Sequence, residues 1–289
     1  MKALALLSGG LDSILAVKLI LDQDIDIVGI HFITPFQISE KKWVNEITKK
    51  FKIFLKTVTL GEDYLKIIMK PKFRYGKHMN PCIDCRIFML KKAKEYAKKI
   101  NASFLVTGEV LGERPMTQTR ESLDIVEKET GLQGKILRPL SAKLLPKTDA
   151  EKKGWVDREK LLDIKGRSRR RQIELAKKYG IKEYPSPAGG CLLTYKEFSD
   201  KVKDLIEHKK KIGMKDIPLL KIGRHFRFGK NKIIVGRNED ENKQLLKLKD
   251  ASDYYFEVPK VGSPITLLKG QKTKKSIERA AVLTARYSD

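Results

Sequence analysis

Several features that assign a chain to a common class are absent from this sequence. It contains no apolar run long enough to cross a bilayer, and no charged leader followed by an apolar segment. It has no internal repeat or low-complexity tract, and only 3 cysteines among 289 residues. We therefore expect a cytoplasmic protein with no membrane partner, in which a disulfide is disfavoured unless it is transient and catalytic.

Acidic residues are scarce beside basic ones. The 36 Asp and Glu residues stand against 61 Lys and Arg residues, and the formal net charge is +25. That excess favours a polyanionic partner such as RNA. The alternative is the Lys- and Glu-rich surface of a thermophile, with 34% charged residues, but such a bias would raise both signs of charge together. We expect RNA binding.

In the first half of the chain, strand patterns alternate with helix patterns. Such alternation predicts an α/β fold with a doubly wound parallel sheet, whose ligands lie at the carboxyl ends of the strands. The predicted strands cover residues 3–7, 26–32, 52–59 and 103–107, and the predicted helices cover residues 14–21, 41–50 and 87–100.

The composition changes beyond about Lys147, which indicates that further domains follow the first. We expect residues 1–147 to form the first domain and residues 148–195 to form a basic helical extension. Residues 196–289 are expected to form a small, mainly β domain, preceded by a helix over residues 195–211 and containing strands near residues 232–235, 254–258 and 264–268.

The segment Ser8-Gly9-Gly10-Leu11-Asp12-Ser13 lies between the first predicted strand and the first predicted helix. Its glycines let backbone N–H groups approach a ligand closely, and the N-terminus of the following helix favours negative charge. Ser8 and Ser13 add hydroxyl donors. Asp12 fits such an anion site if a metal ion bridges it to the phosphates, and otherwise the segment is an ordinary turn with a helix cap. The Lys-Ser/Thr ending of GxxxxGK[ST] and the third glycine of GxGxxG are both missing, which excludes those two loops.

Each cysteine occupies a motif-like setting. Cys82 and Cys85 belong to residues 80–85, Asn-Pro-Cys-Ile-Asp-Cys, where Pro81 and the helix pattern after it place both thiols at a helix N-terminus. That position is expected to lower a thiol pKa. Cys191 follows two glycines at the end of residues 187–191, Pro-Ala-Gly-Gly-Cys.

Three chemistries fit these thiols. A structural zinc needs a fourth ligand, and His78 is the histidine nearest to Cys82 in the sequence. A pair of thiols can carry and resolve a persulfide. Alternatively, three thiolates can hold three irons of a [4Fe–4S] cluster, which accounts for all three cysteines and leaves the fourth iron open. The thiols could also be inert, and the spacing alone does not decide among these.

Two basic clusters are candidates for RNA contact. Residues 166–171 contain four arginines, which suit contacts to an RNA backbone but also fit a solvated helix start. In the C-terminal part, basic residues alternate with Phe226 and Phe228, and this pattern fits a nucleic-acid grip or an amphipathic strand pair. The basic residues there are Lys221, Arg224, His225, Arg227 and Lys230.

The order of these motifs resembles the PP-loop ATP pyrophosphatases, and within them the tRNA-thiolating branch. The matching features are the SGGxDS loop, Asn-Pro-Cys-x-x-Cys, Thr-Gly after a strand, and Gly-Gly-Cys, over about residues 1–195. The resemblance implies ATP held with Mg²⁺ on its phosphates and its adenine near Phe32 and Gly108, although Phe32 equally fits plain core packing. The residues that the resemblance assigns to the phosphate loop are Ser8, Gly9, Gly10, Asp12 and Ser13.

The same resemblance implies a reaction in which a tRNA base oxygen is adenylated and then replaced by sulfur. Asp12, Cys85 and Cys191 are the implied catalytic residues. Cys82, Cys85 and Cys191 are the implied ligands of a [4Fe–4S] cluster, as in the iron–sulfur thiolases, and a persulfide relay through Cys85 and Cys191 is the alternative. The partners are tRNA and a sulfur donor, either sulfide or a persulfide carrier. The modified nucleotide is left open, and Gly108-Glu109 departs from the Gly-His of the 2-thiouridylases. Whether the protein forms a homodimer is also left open.

Two further readings remain. A PP-loop ligase could insert nitrogen or act on a small metabolite, which the three placed cysteines disfavour. A non-enzymatic ATP-sensing module that binds RNA and holds a structural metal would release no pyrophosphate from ATP.

Overall fold

Parallel strands organise the first of the two units into which the chain divides, Met1–Thr194 and Tyr195–Asp289. The computed structural model describes residues 1–38, 42–184 and 190–289. In the described part of the first unit, five strands pair in the order β3-β2-β1-β4-β5, and every pair is parallel. The strands are β1 (Lys2–Leu6), β2 (Asp26–Ile33), β3 (Phe54–Thr59), β4 (Phe104–Val106) and β5 (Ile136–Leu137).

Helices cover both faces of this sheet. Alternate residues of a strand face opposite sides, so Ala3 and Ala5 pack into a core shared with α1, α2 and α7. The helix α4 packs on β1 and β4, with α3 and α5 beside it. The prediction of a doubly wound α/β sheet is confirmed. The helices are α1 (Leu11–Leu21), α2 (Lys42–Lys50), α3 (Glu62–Met69), α4 (Cys82–Lys99), α5 (Arg120–Thr130), α6 (Asp149–Lys152) and α7 (Arg170–Lys178).

The strand order reverses direction at β1. The chain moves from β1 outward to β2 and β3, and then crosses back to β4 and β5 on the other side. In doubly wound sheets, ligands bind outside the carboxyl ends of the strands at such a reversal. The loop that follows β1 is Leu7–Gly10, so this unit presents its glycine loop at the expected place for a ligand.

Some elements differ from the sequence expectations. The predicted helix over residues 87–100 begins at Cys82, and α3, α5 and β5 were not predicted. Thr119 caps α5 through its side chain, which accepts from Ser122 N, and Gly131 ends this helix in the left-handed conformation at φ +59°. Lys41, predicted as a helix start, and residues 187–189 of the Gly-Gly-Cys motif lie outside the described residues.

The second unit contains an antiparallel sheet in the order β6-β7-β9-β8. One face packs against α9 and α10 through residues such as Ile234 and Leu267, and the other packs against α11 through Ile233 and Leu268. The prediction of a small C-terminal domain built on a β-sheet is confirmed, and its sheet is antiparallel, while α9, α10 and α11 are helices that the sequence did not predict. Its elements are α8 (Lys196–His208), α9 (Ile217–Lys221), β6 (Arg224–Phe228), β7 (Asn231–Val235), α10 (Glu239–Leu248), β8 (Tyr254–Phe256), β9 (Thr266–Lys269) and α11 (Lys274–Arg286).

Across the described residues of both units, no helix combines the length and the apolar character that crossing a bilayer requires.

Candidate nucleotide and thiol site

The loop after β1 is held by its own serines. Gly9 adopts φ +85°, a left-handed conformation that favours glycine. Ser13 Oγ donates to Gly10 O at 2.8 Å, and Ser8 Oγ donates to Ser13 Oγ at 3.2 Å. The loop therefore turns directly into α1, so the N-terminus of this helix lies at the carboxyl end of β1.

Gly108 packs against this loop at backbone distance. It follows β4, the strand beside β1. A Cβ built on Gly108 would lie 2.4 Å from Ser13 N and 2.5 Å from Asp12 C, distances that real Cβ atoms do not show. Gly108 is thus needed because only a residue without a side chain lets the two strand ends approach this closely.

Asp12 faces the start of α7. Burial raises the pKa of Asp12 above its ordinary value, although the charge of Arg169 opposes this shift. Glu113 lies near enough to Asp12 that its own pKa is raised, first by burial and then by the Asp12 charge. The arginine cluster of residues 166–171 thereby reaches the glycine loop through Arg169, and two carboxylates share the same neighbourhood.

Cys82 and Cys85 lie in the first turn of α4, as predicted, with Pro81 as the residue before the helix. Asn80 Nδ2 donates to Cys82 Sγ at 3.3 Å, and Tyr64 Oη lies 3.1 Å from Cys85 Sγ. Between the two cysteines, Asp84 is buried and faces the other way.

Asp84 fixes the turn that carries both thiols. Its two carboxylate oxygens accept from Lys72 N at 2.8 Å and from Phe73 N at 3.0 Å. A carboxylate that accepts two backbone N–H groups binds the segment before the cysteine motif to the helix itself.

Cys191 reaches the same region from a distant part of the sequence. It forms an antiparallel bridge with Gln37, and Leu192 N donates to Phe36 O at 2.8 Å. Phe36 and Gln37 follow β2 at its carboxyl end, next to β1. The structure therefore brings Cys191 to the sheet edge where the glycine loop lies.

The three thiols are close enough to influence one another. The pKa of the Cys191 thiol is raised to about 12, first by burial and then by negative charge on Cys85 and Cys82. Burial likewise raises the pKa of the Cys85 thiol to about 11, with Cys82 adding to the shift. This direction is opposite to the lowering that the helix N-terminus predicts for Cys85, because removal from water outweighs the helix dipole there.

A buried carboxylate connects the cysteine helix to the sheet. Glu109 lies within 3.0 Å of Arg86 Nε and of Arg138 Nε, and Thr107 Oγ1 donates to it at 3.0 Å. Burial alone would raise the pKa of Glu109, but the two guanidinium groups outweigh it and hold the pKa below its ordinary value. Because Arg86 adjoins Cys85 and Glu109 adjoins Gly108, this ion pair couples the thiol helix to the strand end against which the loop packs.

The thiols are donors that both zinc and iron–sulfur clusters accept. Over residues 1–38, 42–184 and 190–289, no three His, Cys, Asp or Glu side chains are grouped to hold a metal ion. Cysteines of a cluster each bind a different iron, so their sulfurs stand farther apart than the ligands of one ion. The donor set is therefore compatible with a cluster.

The remaining predicted residues fall into two groups. Phe32 lies at the end of β2 and is only 8% exposed, so most of its ring packs in the core. His78 donates its backbone N–H to Asn80 Oδ1 at 3.1 Å. In the second unit, Phe226 packs into the core beside α11, whereas Phe228 is exposed.

Sequence reasoning missed several residues that line this site. Tyr64 is buried in α3 between the rings of Phe36 and Phe88, and no motif marks it. Asn80 begins the motif Asn-Pro-Cys-Ile-Asp-Cys, so the sequence already indicates that it lies near Cys82. Glu109 was noted only as a departure from a family pattern, and Gln172 was taken as part of a charged helix.

Two family models match the chain. The model described as Thiamine biosynthesis protein (ThiI) matches residues 1–147, and the model described as NFACT protein RNA binding domain matches residues 223–289. The first match includes the glycine loop, Cys82, Cys85 and Gly108, and covers half of the chain. The second match lies within the second unit.

Curated relatives and a solved structure are also similar. A "Probable tRNA sulfurtransferase" of Thermococcus kodakarensis is 30% identical over 172 residues, which cover 56% of this chain and 39% of the relative. One of Lysinibacillus sphaericus is 33% identical over 145 residues, which cover 48% and 34%. The chain thus spans about a third to two fifths of these relatives. A 4-thiouridine synthetase–RNA complex with bound ATP aligns with TM-score 0.45 and 23% identity, over 76% of this chain and 52% of its own.

Proposed function

The chain belongs to the family described as Thiamine biosynthesis protein (ThiI), and from this premise we propose that it is an ATP-dependent tRNA sulfurtransferase. The proposed reaction adenylates a carbonyl oxygen of a tRNA base and replaces that oxygen with sulfur. One observation carries the proposal: Cys191, distant in sequence from Cys82 and Cys85, lies at the sheet edge of the glycine loop and near enough to both thiols that their charges raise its pKa. The names of the curated relatives agree with it.

The glycine loop is the proposed ATP site. The backbone of Gly9 and Gly10, the hydroxyls of Ser8 and Ser13, and the N-terminus of α1 supply donors for the phosphates. Asp12, with Glu113 beside it, supplies carboxylate oxygens for Mg²⁺, whose charge would favour the ionised form of both groups. Gly108 and the edge of Phe32 border the space for adenine.

The proposed chemistry balances without an added reductant when the donor is hydrosulfide. The base oxygen attacks the α-phosphorus of ATP, and pyrophosphate leaves. Hydrosulfide then attacks the base carbon, the C–O bond breaks with release of AMP, and loss of one proton leaves a thiocarbonyl. Adenylation is needed because it converts an oxygen that leaves poorly into part of AMP. A base inside a helix must first be flipped out of its stack.

Cys82, Cys85 and Cys191 are the proposed ligands of a [4Fe–4S] cluster. When bound, the cluster supplies an open iron that can deliver sulfur. Around it, Asn80 and Tyr64 donate hydrogen bonds toward the sulfurs of Cys82 and Cys85, while Asp84 and Glu109 hold α4 in place. Such outer contacts orient ligands and tune the group that they hold.

RNA binding is proposed for both units. In the first, Arg167 and Arg170 are exposed near the loop and would contact phosphates without reading sequence. In the second, the match to an RNA binding domain supports the same partner. We propose residues 1–147 as the ATP-binding part, residues 148–195 as its basic extension, and residues 196–289 as a further RNA contact.

The deciding experiment is anaerobic purification followed by an absorption spectrum and iron and sulfide analysis, on wild-type protein and on Cys82→Ala. We expect about four irons and four sulfides per chain in the wild type, and loss of both in the variant. Ile83→Ala is the matched control, because it alters the same helical turn without removing a thiol and should keep the iron.

A different result would support a persulfide relay in place of the cluster. An iron-free wild type that thiolates tRNA with a persulfide donor, together with an active Cys82→Ala, would replace the cluster with a relay through Cys85 and Cys191. If ATP and tRNA together release no pyrophosphate, the protein is not an enzyme of this kind.

A further inference from the structure

Gln172 is an unusual residue for the first turn of α7. Its side chain is 0% exposed, and neither its Oε1 nor its Nε2 makes a hydrogen bond of normal geometry in the described part of the structure, although the amide lies near the Asp12 carboxylate. A buried amide without partners is costly, since the water that solvated it is lost and nothing replaces it. Natural proteins keep few such groups, and each calls for an explanation.

The polar neighbours of Gln172 indicate why an amide is kept at this position. The helix α7 packs on α1, and Gln172 lies close enough to Asp12 to favour its charged form. Asp12 Oδ1 and Arg169 Nε are also buried without a hydrogen-bond partner among the described residues. Three side chains beside one loop thus hold unused hydrogen-bonding capacity.

An apolar residue would serve a purely structural role better. Ala176, one turn further along α7, is buried in the core beside α1, and the other buried residues of that core are hydrophobic. Replacing a partnerless buried polar group by an apolar group of similar shape is neutral or stabilising. The amide at position 172 therefore calls for a role other than packing.

We propose that Gln172 is a positioning residue for Asp12: when ATP and its cation bind, its amide donates a hydrogen bond to the Asp12 carboxylate and holds it toward the cation. This assigns a part of the nucleotide site to α7, outside residues 1–147 of the family match. The inference rests on the proposed ATP function of the glycine loop. Arg169, next to the same carboxylate, supports it by opposing the effect of burial on the Asp12 charge.

The test compares Gln172→Met with wild type in ATP binding, in the Mg²⁺ concentration needed for it, and in thermal stability. Methionine keeps the size of the side chain and removes its polar atoms. We expect about tenfold weaker ATP binding and a higher Mg²⁺ requirement, because a hydrogen bond to a charged group is lost. Thermal stability should stay equal or rise, whereas a structural role would lower it.

The matched control is Thr266→Val in the second unit. Thr266 is also 0% exposed, and its Oγ1 has no hydrogen-bond partner among the described residues. This variant should keep stability and ATP binding. Gln172→Asn, which keeps the amide but shortens its reach, should weaken ATP binding even if Gln172→Met does not fold.

The outcomes separate the two proposals. ATP binding by wild type with unchanged affinity and Mg²⁺ requirement in both Gln172 variants would overturn the positioning role and leave the ATP site intact. A wild type that binds no ATP would overturn the proposed function, and this inference with it.

Discussion

Gly108 illustrates how a single residue sets the distance between two parts of the site. In the sequence, Gly108 is the glycine of the Thr-Gly motif that follows a predicted strand. The sequence does not show that it packs against the glycine loop. Only the structure shows that its Cα faces the backbone of Asp12 and Ser13, with no room for a methyl group. The requirement for glycine here is steric, since its φ lies outside the left-handed region.

We expect Gly108→Ala to lose ATP binding. The added methyl group must displace backbone atoms of the loop or of β4, at a cost of about 1–3 kcal/mol in the free energy of unfolding. Calorimetric ATP titration and urea denaturation measure both effects. Gly61→Ala is the control, because a Cβ at Gly61 meets no heavy atom within 4 Å. Equal ATP affinity in both variants would contradict this account of the loop.

Strand β6 forms as its alternating sequence predicts, but one of its basic side chains binds a carboxylate of the same unit. Its alternating basic and aromatic residues suggested RNA contact, with an amphipathic strand as the alternative. In the structure, Arg227 donates to Asp204 at 2.8 Å and 2.7 Å, and Lys232 of the next strand joins the same carboxylate. Part of the basic charge on this hairpin is thereby neutralised within the unit.

His225 of the same strand predicts a pH dependence. The pKa of His225 is lowered to about 3, first by burial and then by the charges of Lys201 and Lys232. The unfolded chain has a histidine pKa of about 6.5, so as pH falls below that value the unfolded state takes up the proton first. Stability is therefore complete above about pH 6.5 and falls toward pH 3, by up to about 1.4 kcal/mol per pH unit.

Urea denaturation from pH 7 to pH 5 measures this slope. His225→Gln removes the titrating ring, and Gln can still donate toward Leu219 O and Ile222 O, which now accept from His225 Nε2. Its stability should fall less steeply over this window. His208→Gln, an exchange on a more exposed histidine, should keep the wild-type slope. A His225→Gln slope equal to wild type would remove His225 as the cause.

The whole molecule joins two units with separate cores and carries a formal net charge of +25. Such a charge would attract the proposed RNA partner at long range, and cations condensed on the RNA would be released on binding. Affinity should therefore fall steeply with salt. The arginines near the glycine loop are suited to this role because Arg167 and Arg170 are exposed.

We expect the double variant Arg167→Ala, Arg170→Ala to bind tRNA more weakly and with a flatter salt dependence. Each lost phosphate contact should reduce the slope of log affinity against log salt by about one. Filter binding between 50 and 200 mM salt, roughly the range over which such slopes are read, measures it. The double variant Lys49→Ala, Lys56→Ala removes two exposed charges elsewhere, and an identical slope in both would exclude a local role for the arginines.

The sequence by itself determined the alternation of strands and helices, the glycine loop after β1 and the placement of Cys82 and Cys85 at a helix start. These features depend on residues close together in the chain, because hydrophobic spacing and backbone preferences act over short segments. The sequence did not predict α3 and α5, and it placed the start of α4 at residue 87, whereas this helix begins at Cys82.

Tertiary structure alone decided which distant residues meet. The approach of Cys191 to Cys85, the contact of Gly108 with the loop, and the burial of Glu109 between Arg86 and Arg138 arise where strands from separate segments end at one edge. The thiol pKa values follow the same rule, because burial depends on everything packed around a group. Such contacts join residues far apart in the chain, so no local pattern encodes them.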